Sequence, residues 1–120
     1  MLARDIMTTN VITITPSARI YELTRLLAEK QISGVPVCDG DNHVVGIVGE
    51  ADLLGLVNGH LVRDIMSQPV IGVDAEDPVE KVAAILHEKR IKRVPVYSNG
   101  RLVGIISRAD IVAAMARENK

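Results

Sequence analysis

Apolar and polar positions along this 120-residue chain alternate between short β-branched runs and helical stripes, and the second half repeats the first. "VITI" (11–14) and "VIGV" (70–73) predict strands. Ile20, Leu23 and Leu27 in the first half, and Val79, Val82 and Leu86 in the second, recur at i, i+3 and i+7. That spacing is the buried stripe of an amphipathic helix. The second helix has a marked start: Asp77-Pro78-Val79-Glu80 predicts Asp77 as N-cap, Pro78 at the first helical position and Glu80 closing a capping box. "VPVC" (35–38) and "VPVY" (94–97) predict the next strands. Turns rich in Gly, Asn and Asp lead from them into "HVVGIV" (43–48) and "RLVGII" (101–106). A last helix opens at "GEAD" (49–52) and at "SRAD" (107–110). The predicted order is β-α-β-β-α, twice, an α/β (α+β) fold.

The repetition is residue by residue. "RDIM" at 4–7 returns at 63–66, an offset of 59, and at that offset "LLAEKQI" meets "ILHEKRI" and "GVPV" meets "RVPV". One residue is then missing from the second copy, in the turn "DGDNH" against "SNGR". Beyond it, "VVGIVGEADLL" meets "LVGIISRADIV" at an offset of 58. An insertion costs least in a turn. The copies are assigned to 1–58 and 59–120. Units this small are marginal alone, which predicts two of them packed through their sheets about a pseudo-twofold axis.

The "RDIM" lead, the "VPV" strand and the ending "GIISRAD" (104–110) resemble a tandem cystathionine-β-synthase (CBS) domain pair, or Bateman module, over nearly the whole chain. The resemblance implies a regulatory module that binds adenine nucleotides or related adenosyl ligands, of the AMP, ADP and ATP class, in clefts between the repeats. It also implies disc-like homodimers. By position, Asp110 would hold ribose hydroxyls and Ser107 phosphate. Ser67, Pro69 and Ile71 would hold the base, and Lys92 and Arg93 would face phosphate, with Val94, Pro95 and Ile105 lining the same cleft. The matching residues of the first copy are Thr8, Asn10, Ile12, Ser33, Gly34, Val35, Pro36, Gly49 and Asp52. There the pattern departs, because Gly49 replaces the hydroxyl and Ser33-Gly34 the basic pair. The second cleft is therefore expected to be the better equipped for phosphate.

Composition narrows the alternatives. Apolar residues are 48% and charged residues 24%, with a net charge of −1. This balance counts against nucleic-acid and anionic-membrane binding, despite the basic run "HEKRIKR" at 87–93. Two tyrosines and no Phe or Trp leave no aromatic platform for bases. No apolar run reaches the roughly 20 residues of a membrane span, no signal-peptide pattern opens the chain, and a lone Cys38 fits a reducing compartment. The expected location is the cytoplasm. His43, His60 and His87 lack zinc-site spacing and are expected at the surface, with no metal site. Cys38 is expected in a buried strand rather than as a nucleophile. No catalytic residues and no required cofactor are expected. Ser107-x-x-Asp110 is also an S-x-x-D helix cap, and the two roles are compatible, since a helix N-terminus is itself an anion site. "ADIVAAMA" (109–116) and "ADLLGLV" (51–57) are apolar nearly all round. They predict a homodimer through these helices, with Gly55, Ala113, Ala114 and Ala116 permitting close approach. The competing function is a dimerisation or scaffold module with empty clefts. An effector protein is implied but not identified by the residues.

Overall fold

The computed structural model describes residues 1–55 and 59–118. In chain order the elements are α1 (Ala3–Ile6), α2 (Ile20–Lys30), β1 (Gly34–Cys38), β2 (Val44–Gly49), α3 (Glu50–Leu54), α4 (Val62–Ile65), β3 (Val73–Asp74), α5 (Val79–Glu88), β4 (Arg93–Ser98), β5 (Arg101–Ser107) and α6 (Arg108–Glu118). Contacts divide them into two compact units, residues 1–11 with 71–120, and residues 12–70. The predicted helical stripes are buried in both: Leu23 and Leu27 in one, Val79, Val82 and Leu86 in the other. They pack on hairpin residues Val35, Val37 and Val48, and on Val94, Val96 and Ile106, respectively. Each core is aliphatic, and no polar or charged residue is buried among the described residues.

The leads are exchanged between the copies. In the unit containing copy two's hairpin, the Ala3 and Arg4 amides donate to the Asp77 and Ala75 carbonyls (2.8 and 2.9 Å), and Thr8 and Ile105 exchange backbone bonds. Residues 12–70 hold copy two's lead in the same manner. Val62 and Arg63 donate to the Ala18 and Pro16 carbonyls (2.8 and 3.0 Å), and Ser67 bridges Ile47. The short lead helices α1 and α4 have no counterpart in the sequence reading, because four residues carry no periodicity. Each is held by the aspartate of its "RDIM": Leu2 N–H donates to Asp5 (2.7 Å) and Leu61 N–H to Asp64 (3.0 Å). Donation from Leu61 and then His60 keeps the Asp64 carboxyl below its ordinary pKa.

Three local expectations are corrected. The strand expected at 11–14 is reduced to one parallel bridge, Ile14 with Val37, whereas copy two forms β3, parallel to β4. In copy two the ladder continues because Ala75 N–H donates to the Tyr97 carbonyl at 2.8 Å. The matching residue in copy one is Pro16, which has no N–H to give. The start of α5 lies one residue later than expected. Pro78 is the N-cap, with extended backbone, and Asp77 instead accepts from the Asp74 N–H (2.9 Å) and the Lys81 ammonium (3.2 Å). The third concerns Ala114, which is 1% exposed and so packs within its own unit rather than against a neighbour.

Helices α2 and α5 end alike, on Gln31 and Arg90 in the left-handed region (φ 54° for both). Ile32 N–H then bonds Leu27 O and Ile91 N–H bonds Leu86 O, each at 3.1 Å, closing the helix as a Schellman turn does. A side chain at such a position costs roughly 1–2 kcal/mol, of which glycine's greater unfolded freedom recovers part. Gln31→Gly should therefore stabilise the protein by about 0.5 kcal/mol, read as a higher urea midpoint at unchanged slope.

Candidate functional site

In the first unit, β4 and β5 pair antiparallel with Arg93 opposite Ser107. Arg108 N–H donates to the Lys92 carbonyl at 3.0 Å. These bonds bring Lys92, Arg93, Ser107 and the start of α6 to one end of the hairpin. Asp110, in the first turn of α6, accepts through Oδ2 from Ser107 N–H (2.8 Å) and Ser107 Oγ (3.1 Å). Asp110 N–H lies 3.3 Å from Ser107 Oγ. The predicted cap is thus formed. Ser107 and Asp110 are both half-buried, and the bonds Asp110 accepts within this cap use Oδ2. Thr8 and Asn10 belong to this unit and are exposed, Thr8 beside β5. Lys92 is exposed, and Arg93 is half-buried with an interaction of its own. The result is a carboxylate able to accept from a diol, a hydroxyl at a helix N-terminus, and two cations.

Residues 12–70 repeat the arrangement with fewer groups. Gly34 pairs with Gly49, Glu50 N–H donates to Ser33 O at 3.0 Å, and Asp52 accepts from Gly49 N–H at 2.8 Å. The carboxylate and its cap persist without a hydroxyl or a basic pair. Ser67 and Pro69, grouped by sequence with Ser107 and Asp110, belong instead to this unit with Gly49 and Asp52. The exchange of leads is the physical reason, and it moves Thr8 and Asn10 the opposite way. Ile12 and Ile71 remain with their own copies. Val35, Pro36, Val94 and Pro95 have fully buried side chains. Val35 and Val94 belong to the two aliphatic cores. Ile105 is half-buried and occupied by its bridge to Thr8.

A family model for the CBS domain matches residues 3–59 and again 62–117. The chain belongs to the CBS domain family. As a CBS pair it superposes on the crystal structure of CBSX2 in complex with AMP with a TM-score of 0.91, at 30% identity, covering 99% of this chain and 98% of that one. It superposes on the CBS domain pair of protein MJ0100 in complex with 5′-methylthioadenosine and S-adenosyl-L-methionine with a TM-score of 0.93, at 28% identity and 98% coverage of both. It is also 38% identical over 104 residues to inosine-5′-monophosphate dehydrogenase of Thermoplasma acidophilum, covering 86% of this chain but 21% of that enzyme. The chain spans less than two thirds of the first curated relatives it matches.

The other expectations have particular outcomes. Cys38 is buried in β1, and burial, with the neighbouring Asp39 charge second, pushes its thiol pKa up, away from nucleophile chemistry. His43, His60 and His87 are exposed. No described helix is long and apolar enough to cross a membrane. Of the helix expected to continue through 51–57, α3 covers Glu50–Leu54, and residues 56–58, with the boundary drawn at 58, lie outside the described residues. The sequence reading expected no metal-ligating set, yet the β1–β2 turn brings Asp39, Asp41 and His43 together. The alternation D-x-D-x-H in a turn was the available signal.

Proposed function

We propose that this CBS pair is a regulatory module for an adenosyl ligand, of the AMP, ADP and ATP class, held principally by the first unit. The observation that carries the reading is the convergence of Asp110, Ser107, Lys92 and Arg93 at one hairpin end. The AMP and S-adenosylmethionine complexes of the structural relatives support it. Asp110 accepts from the ribose hydroxyls while Ser107, the α6 amides and the cations receive phosphate. The second unit, with Gly49 for the hydroxyl and no basic pair, binds phosphate less well. A ligand held more tightly by one arrangement of the module than another transmits its presence to an effector protein by linkage. A thermal-shift panel of AMP, ADP, ATP, NAD, S-adenosylmethionine and methylthioadenosine tests this, because a native-state ligand raises stability by mass action. A response to none would favour the scaffold function.

We further propose that the module acts as a homodimer through its C-terminal helices. Val112 and Met115 of α6 are 64% and 54% exposed, and Leu54 of α3 is 89% exposed. Beside α6 an open groove of about 670 Å³ is lined by Ala83, Leu86, Ile111 and Val112, with Glu88, Arg90 and Arg108 also on its walls. A second copy's helices would cover these apolar side chains. Met115→Glu should then shift sedimentation from dimer to monomer at about 10 µM chain, weakening association roughly tenfold or more. A parent chain that sediments as a monomer at this concentration would count against the dimer.

A further inference from the structure

We propose that the β1–β2 turn is a binding site for a divalent first-row transition cation, with Asp39, Asp41 and His43 as ligands. Each offers one ligand atom, and the three atoms lie within 4.8 Å of one another. The turn divides the work of Asp39 between its oxygens. Oδ1 accepts from Asp41 N–H and His43 N–H at 2.9 and 3.0 Å, leaving Oδ2 on the side of His43, 3.8 Å from Nδ1. That separation is too long for a hydrogen bond. It is close to the ~3.4 Å between two ligand atoms about 2.05 Å from a tetrahedral metal. Closing the set asks for small side-chain rotations, and both His43 and Asp39 have room, at 74% and 37% side-chain exposure.

The electrostatics point to a cation independently of the spacing. Two carboxylates stand in the turn, and among the described residues no Lys or Arg forms an ion pair with either. An imidazole with two carboxylates favours zinc, nickel, cobalt or copper over calcium or magnesium, which take all-oxygen sets. The molecule also carries its own control. At the matching turn, copy two has Ser98-Asn99-Gly100-Arg101, with none of the three donors and a cation added. The single residue by which the copies differ in length falls in the turn that carries the ligands.

Calorimetric titration of the untagged chain with Zn²⁺, and with Co²⁺ followed by its visible absorption, tests the site. One saturable ion per chain is expected, with affinity reduced roughly tenfold or more in His43→Ala and likewise in Asp41→Asn, but unchanged in His60→Ala and His87→Ala. Replacing 39–43 by the copy-two turn should abolish binding. All three changes lie in an exposed turn, and an unchanged metal-free melting temperature would show that the fold is intact. The proposal is overturned if no saturable binding occurs, if His43→Ala binds as the parent does, or if His60→Ala or His87→Ala removes the ion. It is equally overturned if Ca²⁺ binds as tightly as Zn²⁺.

Discussion

An Asp110→Ala variant should bind its adenosyl ligand 10- to 100-fold more weakly than the parent, since hydrogen bonds to a charged group are worth roughly 1.5–3 kcal/mol. The difficulty is that Asp110 also caps α6 through Ser107, and losing a cap costs about 1 kcal/mol of stability. Two comparisons separate the roles. A 2′,3′-dideoxy analogue should lose a similar factor on the parent and little more on Asp110→Ala, because the mutation and the analogue delete the same contact. Asp52→Ala removes the equivalent cap at Gly49 and should lower stability comparably, with a smaller effect on ligand. Binding titrations with both nucleotides check this. Parent-like affinity in an Asp110→Ala protein that melts lower would leave Asp110 as a cap alone.

Gly104→Val should destabilise the first unit by on the order of 1–3 kcal/mol, the usual range for overpacking a well-filled interior. A Cβ built on Gly104 would lie 2.7 Å from Met7 Cγ and 3.0 Å from Met7 Cβ. The second of these atoms is fixed to the backbone of the lead and cannot swing aside. Met7→Ala removes the nearer Cγ and Sδ and leaves only the 3.0 Å contact with Cβ, so the double variant should be more stable than Gly104→Val alone, a non-additivity that denaturant melts can read. The same relation holds between Gly46 and Met66, whose Sδ would stand 2.6 Å from the added carbon. Equal loss in the single and double variants would mean that the lead does not seat against the hairpin as described.

Much of this was legible before any coordinates. The i, i+3, i+7 stripes at Leu23, Leu27, Val82 and Leu86 became the buried helix faces, because 3.6-residue periodicity and burial express the same geometry. The cap at Ser107 and Asp110 was equally readable, being local. What the pattern could not carry was non-local. Nothing in "RDIM" says which copy it will pack on, and so the unit that holds Ser67 and Pro69 is not legible in the sequence. The loss of the first strand was legible in principle, in Pro16, but only once its partner across the ladder was known. The grouping of Asp39, Asp41 and His43 is not legible in the sequence alone, because donors at alternate positions converge only if the chain reverses there.

The exchange of leads has a further consequence in time, as the chain is made. Residues 12–70 form one uninterrupted segment, so that unit has all its parts once residue 70 has been synthesised and emerged. The other unit needs residues 1–11 together with 71–120, and its lead cannot finish docking on Ala75, Asp77 and Ile105 until β5 exists. A nascent chain must therefore carry Leu2, Ala3, Ile6 and Met7 unpartnered while its interior folds. At about 5–20 residues per second, that interval lasts seconds. Residues 1–11 are made before residues 12–70 yet are placed after them, and this apolar lead is the segment a chaperone would have reason to hold.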